Sequence, residues 1–290
     1  MRTNLLILLG SLLMGFISEL NAVERRYFAP MQESRWVVTS ASRLLCEMEH
    51  VIPYFGKAVF WREAGRNLRL RLMTEKSFSD GFNVELISQS PSWKSSIHPV
   101  KLAVLETSGQ GMLLDIPDRA AKLAYFELHD GFQPVFFFSK NKKLYDSMSV
   151  LISTVRFRDA EVTFGQCVRD LYPSHYDDVK LAKIHFGNDE EFPLMTDEKT
   201  AFTEMLEYLA VDKLIKEIVI SGYTDQTGSV CYNENLASRR AWYTYDLLVQ
   251  LGVDSNLLRV DYYGESQLYK KGNTSGDRAL NRRVTVELMR

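Results

Sequence analysis

The hydrophobic pattern of this 290-residue chain changes near residue 170. Before that point, short segments such as Leu68–Leu72 alternate apolar and polar residues, and turns such as 65–67 separate them. Strict alternation is typical of strands with one buried face. After residue 178, segments with strand-like and helix-like spacing alternate. The sequence therefore predicts an α+β protein with two domains, which is the number expected for a chain of this length.

The first predicted domain covers residues 23–170 and is mainly antiparallel β, either a barrel or a sandwich. The second covers residues 179–290 and is an α/β sandwich with the element order βαβαββ. Between them, the polar segment 171–178 contains a proline and is predicted to be a linker.

The N-terminus has the pattern of an export signal. Arg2 precedes an apolar run from Leu5 to Ile17, which is shorter than the roughly 20 residues that a membrane-spanning helix needs. We expect residues 1–22 to be a signal peptide, with an uncleaved membrane anchor as the alternative. The net charge of −2 gives no reason to expect nucleic acid as a partner. The expected location of the protein is the periplasm.

A periplasmic location makes the three cysteines candidates for a disulfide. They are Cys46, Cys167 and Cys231, and the sequence alone permits three pairings.

One carboxylate and one guanidinium stand out as a possible ligand-binding pair. Asp225 follows a predicted buried strand that ends near Gly222, and Arg240 lies fifteen residues later in a predicted amphipathic helix. A carboxylate can bind an ammonium group, and the planar guanidinium can bind a carboxylate, so the pair can hold an amino-acid zwitterion. We expect Thr224 and Asp225 to face the same pocket. Alternatively, Asp225 is a turn or helix-cap residue and Arg240 a solvated charge.

Recognisable catalytic and metal-binding motifs do not occur in the sequence. It has no G-x-S-x-G, H-E-x-x-H or phosphate-binding glycine motif, and its five histidines have no metal-ligand spacing. The acidic run 189–191 is interpreted as a solvated loop. We therefore expect neither an enzyme nor a cofactor or metal site.

Three segments in the second domain resemble the OmpA-like peptidoglycan-binding family: 221–225, 233–241 and 281–284. The resemblance implies that Asp225 and Arg240 hold the diaminopimelate of the cell-wall stem peptide. It places four further residues at the peptidoglycan site: Gly222, Thr224, Asn233 and Leu236. It also implies that Asn281 and one of Arg282 and Arg283 support the binding loop, while Arg283 could instead be a surface charge. The chain departs from the family pattern at Tyr223 and Ala237, and neither difference removes a charge.

The first domain resembles the MotY family of periplasmic flagellar-motor proteins, on segments 27–30, 35–36, 45–60 and 165–167. The resemblance implies a non-enzymatic protein that anchors a basal-body ring to peptidoglycan, joins a MotX-like ring protein and supports stator assembly. The alternative is a general OmpA-like envelope tether with another partner, and a wall hydrolase is a more distant one. The family also has cysteines at the positions of Cys46 and Cys167. A bridge there would tie the start of the β domain to its end, so we predict that disulfide and a free Cys231.

Overall fold

The computed structural model of the protein describes residues 25–78, 82–95, 99–106, 111–140, 148–193 and 198–290. The predicted signal peptide, residues 1–22, lies outside these ranges. In the described ranges, no helix is both long and apolar enough to cross a membrane.

Two five-stranded sheets and two helices make up the N-terminal part of the described chain. The elements are β1 (Arg25–Tyr27), β2 (Trp36–Ala41), β3 (Leu45–Ile52), β4 (Gly56–Glu63), β5 (Arg69–Phe78), β6 (Phe82–Gln89), β7 (Val100–Glu106), β8 (Gly111–Ile116), α1 (Asp118–His129), β9 (Gln133–Lys140), β10 (Met148–Leu151) and α2 (Phe157–Asp170). One sheet has the strand order β2-β3-β4-β5-β8 and the other β1-β10-β9-β6-β7. Neighbouring strands are antiparallel except β1 and β10, which are parallel.

The two sheets and both helices share one hydrophobic core. Alternation along β3 buries Cys46, Met48, His50 and Ile52 on the inner face, as a strand with one covered side requires. The sheets remain separate over the described residues, so the mainly antiparallel β prediction is confirmed in its sandwich-like form and not as a closed barrel.

The predicted disulfide is present in this domain. Cys46 on β3 is bonded to Cys167 on α2, with Cα atoms 5.9 Å apart, and Cys231 is free and exposed. The bridge therefore joins helix α2 to the inner face of the first sheet.

The C-terminal part has the predicted strand and helix order, with two short helices added. Its elements are α3 (Tyr176–Val179), β11 (Leu181–His185), α4 (Glu198–Val211), β12 (Glu217–Tyr223), α5 (Val230–Gln250), β13 (Leu258–Gly264), α6 (Ser275–Asn281) and β14 (Arg283–Met289). The sheet order is β11-β14-β12-β13, with β12 and β13 parallel and the other pairs antiparallel. Helix α5 begins directly after Ser229, which is its N-cap and accepts a hydrogen bond from the Tyr232 amide.

The segment 171–178, predicted to be a linker, is closely packed. Tyr172 is buried against Tyr208 in the C-terminal core, with ring centroids 5.5 Å apart. The Tyr172 amide donates to the Arg43 carbonyl at 2.7 Å, and Arg66 forms an ion pair with Asp178 at 3.0 Å. These contacts connect the N-terminal sheets to the C-terminal part, and the domain boundaries at 170 and 179 stay predictions.

Candidate functional site

A cavity of about 240 Å³ lies where the loop after β12 meets the N-terminal half of α5. Its lining residues are Asn188, Asp189, Thr224, Asp225, Thr227, Gly228, Tyr232, Asn233, Leu236, Arg240 and Arg282. The cavity therefore brings together six of the residues named from the sequence: Thr224, Asp225, Asn233, Leu236, Arg240 and Arg282.

Close packing of strand β12 against helix α5 positions these side chains. All residues of β12 after Glu217 are buried, and a Cβ atom at Gly222 would collide with the Ala237 carbonyl oxygen of α5. Gly222 itself is not among the residues that line the cavity. It allows the strand and the helix to approach closely, so that Asp225 and Arg240 lie on opposite elements of one pocket.

The Asp225 carboxylate is held in its ionised form. It is 4 % exposed, and its two oxygens accept hydrogen bonds from Arg282 Nη1 at 2.8 Å and from the Thr227 amide at 2.9 Å. Burial raises the pKa of this carboxyl, but the hydrogen bonds from Arg282 and Thr227 outweigh burial and bring the pKa below its ordinary value. A negative charge is therefore maintained in the wall of the cavity.

The Arg240 guanidinium lies beneath the cavity with no exposed surface. Its nitrogens donate to three backbone carbonyls, those of Glu190 at 2.8 Å, Gly187 at 3.1 Å and Tyr223 at 3.4 Å. Burial, with the positive charge of Arg282, lowers the pKa of Arg240 to about 10, so the group is still charged at neutral pH. A guanidinium has five N–H donors, so these three bonds leave one donor on each terminal nitrogen without a partner among the described residues.

Asp225 and Arg240 are not paired with each other, since no ion pair joins them among the residues that the structure describes. The two charges therefore lie on different sides of the cavity. Thr224 adds a neutral group: its hydroxyl is buried and has no hydrogen-bond partner within the described chain. A buried hydroxyl without a partner is costly, and a polar ligand in the cavity would satisfy it.

Five residues that the sequence analysis did not place at the site also line the cavity, and two of them, Asp189 and Tyr232, are hydrogen-bonded to each other. Asp189, in the loop after β11, accepts a hydrogen bond from the Tyr232 hydroxyl. Tyr232 could have been found from helical spacing, because it lies four residues before Leu236 and eight before Arg240 on α5. The interpretation of 189–191 as a simple solvated loop was incomplete: these residues are exposed or half-buried, but Asp189 faces the cavity and Glu191 forms an ion pair with Arg239.

Asn233 and Leu236 differ in their contacts within the cavity wall. The Asn233 amide donates to Glu265 Oε2 in the loop after β13, and therefore fixes that loop to α5. Asn233 lies within α5, one turn after the N-cap residue Ser229. Leu236 is 4 % exposed and contributes an apolar surface beside the charged groups.

Asn281 and Arg283 lie outside the cavity and support the loops around it. The Asn281 side chain exchanges two hydrogen bonds with the Lys270 backbone, at 2.8 and 2.9 Å. Arg283 is buried with its guanidinium 3.8 Å from the centre of the Tyr223 ring, so the alternative that it is a surface charge is wrong. Arg282 is the member of the pair that enters the pocket.

The described residues contain no group of three or more His, Cys, Asp or Glu side chains that could hold a metal ion. The cavity is lined by a negative carboxylate, that of Asp225, and by two guanidinium groups, those of Arg240 and Arg282.

Comparison with known proteins finds two family matches along the chain. The family model described as the MotY N-terminal domain matches residues 27–173, and the OmpA family matches residues 188–282. The sodium-type flagellar protein MotY of Vibrio parahaemolyticus is 26 % identical over 270 residues, which is 92 % of this chain and 91 % of that protein.

Two further similarities each cover a smaller share of the chain. The peptidoglycan-associated lipoprotein of Legionella pneumophila is 37 % identical over 67 residues, covering 23 % of this chain and 38 % of that protein. The crystal structure of the peptidoglycan-associated lipoprotein from Burkholderia pseudomallei has a TM-score of 0.35 and 23 % identity, and covers 37 % of this chain and 90 % of that one.

Proposed function

The chain belongs to the MotY family, and from that membership we propose that it is a non-enzymatic periplasmic component of the flagellar motor. In this proposal the C-terminal domain binds peptidoglycan, and the N-terminal domain joins a basal-body ring with a MotX-like protein. The ring then supports assembly of the stator. The observation that carries the proposal is the succession of a MotY N-terminal domain match and an OmpA family match in one chain.

The proposed ligand is the diaminopimelate of the peptidoglycan stem peptide. Its free amino-acid end carries an ammonium and a carboxylate on one carbon, which suits a cavity with separate negative and positive groups. Asp225 would accept hydrogen bonds from the ammonium, while the two remaining donors of Arg240 would bind the carboxylate. Thr224 would supply a hydroxyl to the same ligand. Because both charged groups are already positioned by backbone contacts, binding requires little ordering of side chains.

Co-sedimentation with purified wall sacculi tests this role. We expect Asp225→Ala and Arg240→Ala each to weaken binding by about 2–5 kcal/mol, the range for loss of one partner from a desolvated charge pair. The matched control is Arg239→Ala, which removes the neighbouring guanidinium on the same helix, one that is exposed and paired with Glu191. Wild-type binding by both pocket variants, or equal weakening by the control, would exclude the proposed clamp.

The alternative is a general envelope tether that links peptidoglycan to a protein outside the motor. Deletion of the gene separates the two proposals, because loss of swimming with an intact envelope favours the motor role. Envelope leakiness with normal swimming favours the tether. Release of soluble wall fragments by the pure protein would instead indicate a hydrolase.

A further inference from the structure

A second cavity, of about 290 Å³, lies on the N-terminal domain beside β1. We call it the β1 groove, and its lining residues are Arg26, Tyr27, Phe28, Ala29, Met31, Ser92, Trp93, Gln133, Val135, Ser149, Leu151, Ser153 and Val155. None of these residues forms the disulfide or lines the cavity between β12 and α5.

The rim of the β1 groove is apolar and open to solvent. Phe28, Met31 and Trp93 are 52 %, 59 % and 60 % exposed, although all three line the same cavity. Large apolar side chains gathered around a concavity are typical of interaction sites, and tryptophan is among the residues most enriched at the energetic centres of interfaces.

The base of the groove is polar. Gln133 and Ser149 are 9 % and 3 % exposed and line the cavity. Ser153 also lines it, and its hydroxyl accepts a hydrogen bond from the Val155 amide at 3.2 Å. An amide and a hydroxyl each contain a donor and an acceptor, and a peptide group offers one of each in return. An alkyl chain offers neither.

The charge at the groove is positive. Arg26 is exposed and forms no ion pair with any described residue, and no acidic side chain lines the cavity. A carboxylate on the ligand is therefore favoured. Strand β1 is also the end strand of its sheet in the described chain, and an extended peptide can add to such an edge through backbone hydrogen bonds.

We propose that the β1 groove binds an extended segment of a partner protein. The segment places one apolar side chain among Phe28, Met31 and Trp93, a peptide group against Gln133 and Ser149, and an acidic side chain against Arg26. The inference rests on the proposed assembly role of the N-terminal domain and identifies the surface that performs it.

Titration of the isotope-labelled full mature protein with two end-blocked peptides tests the proposal by NMR. The probes are acetyl-Leu-Phe-Glu-amide and acetyl-Leu-Phe-Lys-amide. We expect saturable shifts of the Gln133 side-chain amide and the Trp93 indole, with the Lys peptide weaker by about two- to fivefold, as for one exposed ion pair. Arg26→Glu should reverse this preference. The indole of Trp242, which is 49 % exposed on α5, is the internal control and should not shift.

Three results would overturn the proposal: no saturable shift at Gln133, an unchanged charge preference in Arg26→Glu, or shifts produced by sodium laurate and not by the peptides. In cells, Trp93→Asp should abolish swimming while sacculus binding stays normal, and Trp242→Asp should leave swimming unchanged. Normal swimming of Trp93→Asp would count against the groove. Loss of sacculus binding by Asp225→Ala tests the wall-binding proposal separately, so the two failures are distinguishable.

Discussion

Replacing Arg282 by methionine should show how strongly the buried charges of the C-terminal cavity depend on one another. The Arg282 and Asp225 side chains are 15 % and 5 % exposed and their charged atoms are 2.8 Å apart. Methionine keeps most of the side-chain volume but removes the only ion pair that the described residues give Asp225, and leaves the carboxylate with hydrogen bonds from Thr227 alone. Breaking a buried ion pair by removing one partner costs about 3–5 kcal/mol. Because Arg282 is partly exposed, we expect a loss of about 3 kcal/mol at pH 7.

The pH dependence of this loss follows from the pKa of Asp225. In the wild type that pKa is lowered on folding, so the carboxylate contributes stability above its unfolded pKa of 3.8, and the contribution disappears as the pH falls through the folded pKa. Without Arg282, burial is no longer outweighed, and the folded pKa of Asp225 should rise. The stability difference between wild type and variant should therefore shrink as the pH falls below the range in which Asp225 is ionised.

Urea denaturation at pH 7 and at pH 3.5 measures the stability loss in Arg282→Met and the dependence of that loss on pH. The double variant Asp225→Asn/Arg282→Met should recover part of the loss, because it no longer contains a buried unpaired charge. Arg239→Met is the control and should cost less than about 1 kcal/mol, because its ion pair with Glu191 is exposed. An Arg282→Met loss that is equal at both pH values, or no recovery in the double variant, would refute the electrostatic reasoning.

Four further single substitutions test other parts of the structure. Cys46→Ser and Cys167→Ser should each destabilise the protein by up to about 5 kcal/mol, since the bridge closes a loop spanning 121 positions, and the double variant should be no worse in the same urea assay. His50 is fully buried, and its Nε2 has no hydrogen-bond partner among the described residues. Burial lowers the pKa of His50 in the folded state, so the stability of the protein should fall as the pH drops below the unfolded pKa of 6.5. Thermal melts of His50→Leu should lose this part of the pH dependence. Gly222→Ala should push β12 away from α5 and weaken sacculus binding although residue 222 does not line the cavity, and unchanged binding would contradict the close-packing argument.

The prediction that Asp225 and Arg240 share a pocket depends on local patterns. The sequence indicates a buried strand that ends near Gly222 and, after a short connection, a helix with regular apolar spacing. A short connection keeps the end of the strand close to the start of the helix, so side chains from the two elements can line one pocket. The same logic would have reached Tyr232 from its spacing to Leu236.

The pairing of Arg282 with Asp225 could not be predicted in this way. The two residues are 57 positions apart, and their contact depends on the register of β14 against β12 and β11. The sequence analysis does not predict helix α6, for a different reason. Its capping box, Thr274 with Asp277, is a signal for a helix start, but the surrounding residues are polar and typical of a loop. The β1 groove is still less accessible to sequence analysis, because its lining comes from segments between residues 26 and 155.

The central claim is that the cavity between β12 and α5 holds a diaminopimelate zwitterion. The most direct measurement is a crystal structure of the protein with the stem peptide L-Ala-γ-D-Glu-meso-diaminopimelate. We predict the ammonium of the terminal residue within hydrogen-bonding distance of Asp225, and its carboxylate on the terminal nitrogens of Arg240. A peptide bound elsewhere, or bound here with neither charge contacting these two residues, would contradict the account.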